Sequence, residues 1–294
     1  MSLNLMYITN NPTVALIAEK VGVERIWVDL EILGKEERQS GRNMVLSHHS
    51  VQDVREISKV LTKSELMVRV NPWNNDSYSE IEAVIAAGAK RIMLPMWKTI
   101  EEVDLFLKAV NKRVQTTLLL ETKEAAGCLD EVLENPLLDE IHIGLNDLYL
   151  SYDLTFLFEP LANGTVEMLC NKCKAKGISY GFGGIARIGE GLLPAERIVM
   201  EHYRLGSTRV ILSRTFCNAE EFTDMNAVSK VFTEEVKRLR DYENSLESVN
   251  ATAFFDNRQI VKDIIEKIVK RIQKLRSRNA NEQLTDEKIG CQSR

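Results

Sequence analysis

Two acids, Glu121 and Asp147, stand about 26 positions apart, each just past a short apolar run: Leu118-Leu119-Leu120 before the first, Ile141-His142-Ile143 before the second. Runs of this length and composition fit strands buried on both faces. Between them Leu129, Val132 and Leu133 recur at helical spacing, so one strand-helix-strand unit would deliver both carboxylates to the same rim. That rim, at the carboxyl ends of parallel strands, is where such folds hold ligands. A carboxylate pair there suits a hard cation such as Mg²⁺, which takes few protein oxygens and keeps positions for substrate. Acids also favour the first turn of a following helix, and the spacing leaves both readings open.

Other side chains fall on the same rim. Arg69 ends the run Glu65 to Val70, and its guanidinium would fork onto a substrate carboxylate better than a lysine. A structural ion pair among rim acids is the alternative. The polar stretch Leu33 to Ser50 carries His48-His49 and reads as a long loop over that rim, a kind of loop that usually carries function. Gly181, Gly183 and Gly184 would let backbone amides approach a carboxylate or phosphate, or would simply serve a tight turn. Their spacing is wrong for a dinucleotide fingerprint, and no P-loop pattern occurs. Ser213-Arg214 closes the last apolar run and would add to the rim's polar lining. Cys170 and Cys173 have C-x-x-C spacing but share a helical face with Val166 and Leu169, which predicts buried packing. His142 and His202 read as packing residues too.

The elements that position these residues repeat. Strand starts fall near residues 3, 25, 65, 91, 115, 139, 178 and 208, alternating with helical periodicity. Eight such units predict a closed (β/α)₈ TIM barrel over residues 1–216, with a doubly wound open sheet as competitor. Residues 217–278 read as C-terminal helices, and 279–294 as a frayed polar tail. In the second helical segment Val261, Ile265, Ile268, Ile272 and Leu275 form a seam, expected to dock on the barrel or on a second copy as a homo-oligomer contact.

Composition narrows the class. The chain has 294 residues, 44% of them hydrophobic, a net charge of −5 and a pI near 5.6. That supplies a large core and no field that gathers nucleic acid. No apolar run is long enough to span a membrane and the first residues lack an export signal, so a cytoplasmic location is expected. Five cysteines in such a chain do not suggest a disulfide framework.

Taken together, Asp29-Leu30-Glu31, Val68-Arg69-Val70-Asn71-Pro72, Met93-Leu94-Pro95, Leu120-Glu121-Thr122 and Ile143-Gly144-Leu145-Asn146-Asp147-Leu148 resemble the HpcH/HpaI aldolase and citrate lyase β-subunit family over about residues 1–215. The resemblance implies a barrel of the phosphoenolpyruvate/pyruvate superfamily that uses Mg²⁺, Mn²⁺ or another divalent cation to make or break a carbon-carbon bond in a small 2-oxo acid or its aldol adduct. It implies Glu121 and Asp147 as metal ligands, Arg69 as the residue holding the substrate and steadying an enolate, and Glu31 as an acid supporting the metal site. A cation and a guanidinium where enolate charge develops agree with the chemistry. One departure stands out. The aldolases of this family carry histidine shortly after the second-strand glutamate and the thioester lyases aspartate near there, whereas this chain has Ile32. His48 or His49 is the expected replacement base. A citrate lyase-like thioester lyase and a ligand-binding barrel without catalysis are the alternatives.

Overall fold

The computed structural model describes residues 2–34 and 49–291, with side chains to Arg278. Nine parallel strands form one sheet: β1 Asn4–Ile8, β2 Arg25–Asp29, β3 Glu65–Arg69, β4 Arg91–Leu94, β5 Gln115–Leu120, β6 Glu140–Ile143, β7 Ser179–Phe182, β8 Gly184–Ile185 and β9 Arg209–Leu212. Neighbours follow chain order from β1 to β7, and β9 lies between β1 and β8.

The expected seventh strand is therefore split into β7 and β8. Gly183 between them has φ +53°, and a Cβ there would lie 2.8 Å from Leu145 Cδ1. The kink lets one run pair on both sides: Gly183 N–H donates to Ile143 O at 2.9 Å, while Thr208 N–H donates to Tyr180 O at 3.0 Å. The sheet curls shut there into the TIM-barrel-like ring that the eightfold alternation predicts.

Alternation along each strand sorts side chains inward or outward. The outward set, with residues such as Ile26, Val28, Ile92 and Leu118, packs under the surrounding helices in one continuous core. The inward set forms three layers. Met6, Trp27, Met67, Met93 and Leu119 make a separate apolar cluster in the middle. Below it, at the amino ends, lie Arg25, Glu65, Arg91, Glu140 and Arg209. Above it, at the carboxyl ends, lie Asp29, Arg69 and Glu121.

Local signals start the outer helices. Ser50 and Asp53 form a capping box on Val51–Val60, and Thr99 and Glu102 form another on Ile100–Val110. The helix Met225–Leu246 packs on Pro12–Lys20, and Phe232 meets Tyr7 edge-on at 4.9 Å. The last helix, Ala251–Cys291, packs on Ala195–Leu205 and Glu159–Ala162. It begins earlier and runs further than the periodicity suggests. The predicted seam splits accordingly: Val261 and Ile265 are buried against the barrel, whereas Leu275 is 49% exposed. Among the described residues no helix is long and apolar enough to cross a membrane.

Candidate active site at the carboxyl rim

The rim is assembled around Arg69. Asp29 is its register partner across β2 and β3, so the two side chains leave the sheet together. Arg69 Nε and Nη2 each donate to an Asp29 oxygen at 2.8 Å, a two-point fork that fixes the guanidinium plane. Nη1 stands 3.2 Å from Glu31 Oε2, and the guanidinium carbon lies 5.0 Å from the Trp27 ring centroid. Burial opposes the charge, but Asp29 and Glu31 outweigh it and hold Arg69 above its usual range. In the sequence Asp29 stands out only as part of the motif Asp29-Leu30-Glu31, with no role of its own. Its signal was there: an acid two residues before Glu31, on the inward parity of β2.

Glu121 follows the last residue of β5 and is 3% exposed. Capping of the next helix, Lys123–Val132, falls instead to Thr122, whose Oγ1 accepts from Ala125 N–H at 3.1 Å and donates to Trp97 O at 2.9 Å. Glu121 is thereby left for the barrel mouth. Its Oε1 accepts from Met96 N–H at 3.0 Å, and Met96 adopts φ +53°. Gly144 backs the other oxygen, since a Cβ there would lie 2.9 Å from Glu121 Oε2. The short helix Leu145–Ser151 begins at that glycine and carries Asp147 in its first turn. Glu121 and Asp147 line one cavity of about 380 Å³ with Met96, Lys98, Lys123 and Ser151.

The surroundings of Glu121 disfavour its ionised form. Burial raises the Glu121 carboxyl well above its ordinary range, and the charges of Asp147 and Glu31 raise it further against Arg69 and the Met96 N–H. Asp29 and Glu31 pair with Arg69, while Glu121 and Asp147 share a cavity with Lys98 and Lys123. Among the described residues no group of three or more His, Cys, Asp and Glu side chains forms a metal cage. The donor set is two carboxylates without histidine or thiolate, which fits a hard cation that retains water ligands and disfavours a closed zinc site.

The other expected residues divide. His48 lies outside the described residues. His49 Nδ1 accepts from Asp29 N–H at 3.0 Å, so the neutral ring carries its proton on Nε2. That arrangement presents a donor where a base was expected. The Gly183 N–H, expected to approach a substrate, donates to Ile143 O in the barrel ladder. A Cβ at Gly184 would lie 3.2 Å from Ile211 O, so strand packing accounts for that glycine. Ser213 Oγ is hydrogen-bonded to Thr215 Oγ1 at 2.6 Å. It lines a second rim cavity of about 180 Å³ with Arg214, Asn10 and His49, apart from Glu121 and Asp147. Ile32 is 62% exposed. Its N–H and that of Leu33 both donate to Asn71 Oδ1 at 3.0 Å, and Asn71 is held in turn by Glu80.

Comparison with known proteins bears on the same region. The model of the HpcH/HpaI aldolase/citrate lyase family matches residues 4–180, from β1 into β7. No curated protein matches the chain. Similar solved structures include an HpcH/HpaI aldolase from Desulfitobacterium hafniense DCB-2, 13% identical, covering 81% of this chain and 93% of its own with a TM-score of 0.59. An HpcH/HpaI aldolase/citrate lyase family protein from Burkholderia cenocepacia J2315 is also 13% identical, covering 78% and 95% with a TM-score of 0.56. The citrate synthase SbnG is 14% identical, covering 83% and 95% with a TM-score of 0.54. At these identities the structural likenesses speak for the fold.

Proposed function

Because the chain belongs to the HpcH/HpaI aldolase/citrate lyase family, whose proteins are of lyase and aldolase type, we propose that it is a divalent-metal-dependent carbon-carbon lyase or aldolase acting on a small 2-oxo acid through an enolate. The observation that carries this reading is the carboxylate pair at the rim: Glu121, buried and with its ionised form disfavoured by burial and by Asp147, shares one cavity with Asp147. A cation there would relieve the repulsion between the two carboxylates, and Glu121 and Asp147 would hold it. When bound, Mg²⁺ or Mn²⁺ supplies Lewis-acid stabilisation of negative charge at the substrate's carboxylate and keto oxygens.

The chain's own residues supply the rest. Arg69 has five N–H groups; the fork to Asp29 uses two and the contact with Glu31 one, leaving two to receive a substrate oxygen. Asp29 is a positioning residue, since it holds the guanidinium plane. Trp27, beneath the guanidinium and 2% exposed, keeps water from the lower side. Glu31, beside Arg69, is the acid assigned to accept a proton, and His49, neutral with its proton on Nε2, is assigned a hydrogen-bond donor's part on the neighbouring stretch of the rim.

The test is exchange of the pyruvate methyl protons in D₂O with Mg²⁺ or Mn²⁺ present. Exchange is expected in the unaltered protein and its loss in Glu121→Gln and Asp147→Asn. A folded barrel that catalyses no exchange with any divalent cation overturns the reading. It would favour a ligand-binding barrel, for which the exposed Ile32, in place of the family's histidine or aspartate, is the supporting observation.

A further inference from the structure

The amino-terminal mouth of the barrel has a charge balance that its own side chains leave open. Arg25, Arg91 and Arg209 converge there on Glu65 and Glu140, three guanidiniums against two carboxylates. Arg25 forks onto Glu140 at 2.8 and 3.1 Å and donates Nε to Glu65 at 2.6 Å. Arg91 donates Nε to Glu65 at 3.0 Å and Nη1 to Thr116 O at 2.9 Å. Thr117 Oγ1 donates to Glu140 as well, at 3.0 Å.

Arg209 comes third to an occupied carboxylate. Its Nη1 lies 3.1 Å from Glu140 Oε2, yet neither that nitrogen nor Nε makes a hydrogen bond among the described residues, and both are buried. Gly181 admits this side chain, because a Cβ there would lie 2.5 Å from Arg209 Cγ. Asn4, the register partner of Arg209 across β1 and β9, likewise has a buried Oδ1 without a partner. Turned by 180°, its amide places an NH₂ donor in that position. The layer is not sealed, since the Arg209 side chain is 14% exposed and that of Glu65 26%.

Water would satisfy orphaned N–H groups but not the surplus charge, and a buried guanidinium that shares one carboxylate with two others is costly. Burial lowers Arg209 below the usual arginine range, and although Glu140 supports its charge, Arg25 and Arg91 oppose it. We infer that the amino-terminal mouth binds one small inorganic anion of the halide class, held by the Arg209 guanidinium and the Asn4 amide, at the end of the barrel opposite the rim.

Thermal unfolding in sodium chloride and in sodium gluconate of equal ionic strength tests this independently of any activity. Chloride is expected to raise the melting temperature by about 2–4 °C over gluconate. Asn4→Asp supplies the missing negative charge from the chain. It should abolish the difference and raise the melting temperature in gluconate; Arg209→Met, where it folds, should abolish the difference alone. Crystals soaked in bromide should show an anomalous peak against Arg209. Equal melting of the unaltered protein in the two salts, a full chloride response in Asn4→Asp, or no bromide at Arg209 overturns the inference.

Discussion

The two ends of the barrel interior hold the same residue types in opposite proportions. At the amino end Glu140 is enclosed by Arg25, Arg91 and Arg209; burial pushes its carboxyl up, but the three guanidiniums overcome that and hold it at about 2. At the carboxyl end Glu121 is equally enclosed, yet its neighbours Asp147 and Glu31 push it the other way. Between them the Met6-Trp27-Met67-Met93-Leu119 cluster keeps the two charge systems apart. A buried carboxylate that stays ionised because cations surround it serves the fold. One whose surroundings disfavour its ionised form is held against stability, and such positions mark sites of chemistry.

Amide substitutions at the two acids should therefore diverge. Glu140→Gln leaves three guanidiniums with one carboxylate and is expected to cost about 3–5 kcal/mol, lowering the melting temperature by roughly 10 °C. Glu121→Gln keeps the acceptor for Met96 N–H and removes repulsion from Asp147, so stability without metal should be unchanged or higher. Its Mn²⁺ affinity, measured by titration calorimetry, should fall by about 100-fold or more. Equal destabilisation by both substitutions would erase the contrast between the two ends.

Arg69→Lys sharpens the rim half. Lysine keeps the charge but cannot fork onto Asp29 while presenting donors to substrate. A loss of about 10²–10³ in kcat/KM for pyruvate-methyl exchange is expected, smaller than the loss expected for Glu121→Gln or Asp147→Asn. Asp29→Asn should reproduce part of that loss through a misplaced guanidinium.

Much of this contrast is legible in the sequence, and the rest is hidden for identifiable reasons. Arg69, Glu121 and Asp147 end apolar runs, and the period of those runs fixes which end of the barrel they reach. Strand starts at Glu65, Arg91 and Gln115 fall where the apolar pattern begins. The pairing of Asp29 with Arg69 depends on register between strands, which periodicity within a strand does not carry. The split at Gly183 depends on how close Leu145 comes from another element. His49 shows the same limit: a histidine in a polar stretch suggests a base, but the Asp29 N–H that engages its Nδ1 comes from a strand distant in sequence.

Acid should dismantle the interior in two steps. Burial lowers His142 to about 4 from its ordinary 6.5, so the unfolded chain takes up a proton in that window while the folded chain does not. Stability therefore declines as pH falls from about 6.5 through 4. The Glu140 contribution is present above about 4.5 and is lost as pH falls towards 2. Urea titrations across this range should show both declines. Glu140→Gln should remove the lower one and, because the Glu140 charge supports protonation of His142, carry the upper one to lower pH.

The smallest effect expected concerns two helix-associated glycines. Gly144 opens the helix that carries Asp147, and a Cβ there would lie 2.9 Å from Glu121 Oε2 and 3.1 Å from Leu119 Cδ1. Its φ of −84° is open to any residue, so the glycine answers to space at the carboxylate and not to backbone strain. Gly144→Ala should cost about 1–2 kcal/mol and, by displacing Glu121, weaken Mn²⁺ binding about tenfold. Gly127, inside Lys123–Val132, has nothing within 4 Å of its added Cβ. Gly127→Ala should stabilise by about 0.5–1 kcal/mol and leave the metal untouched. If Gly144→Ala instead behaves like Gly127→Ala, the Glu121 carboxylate has more room than the packing around it allows.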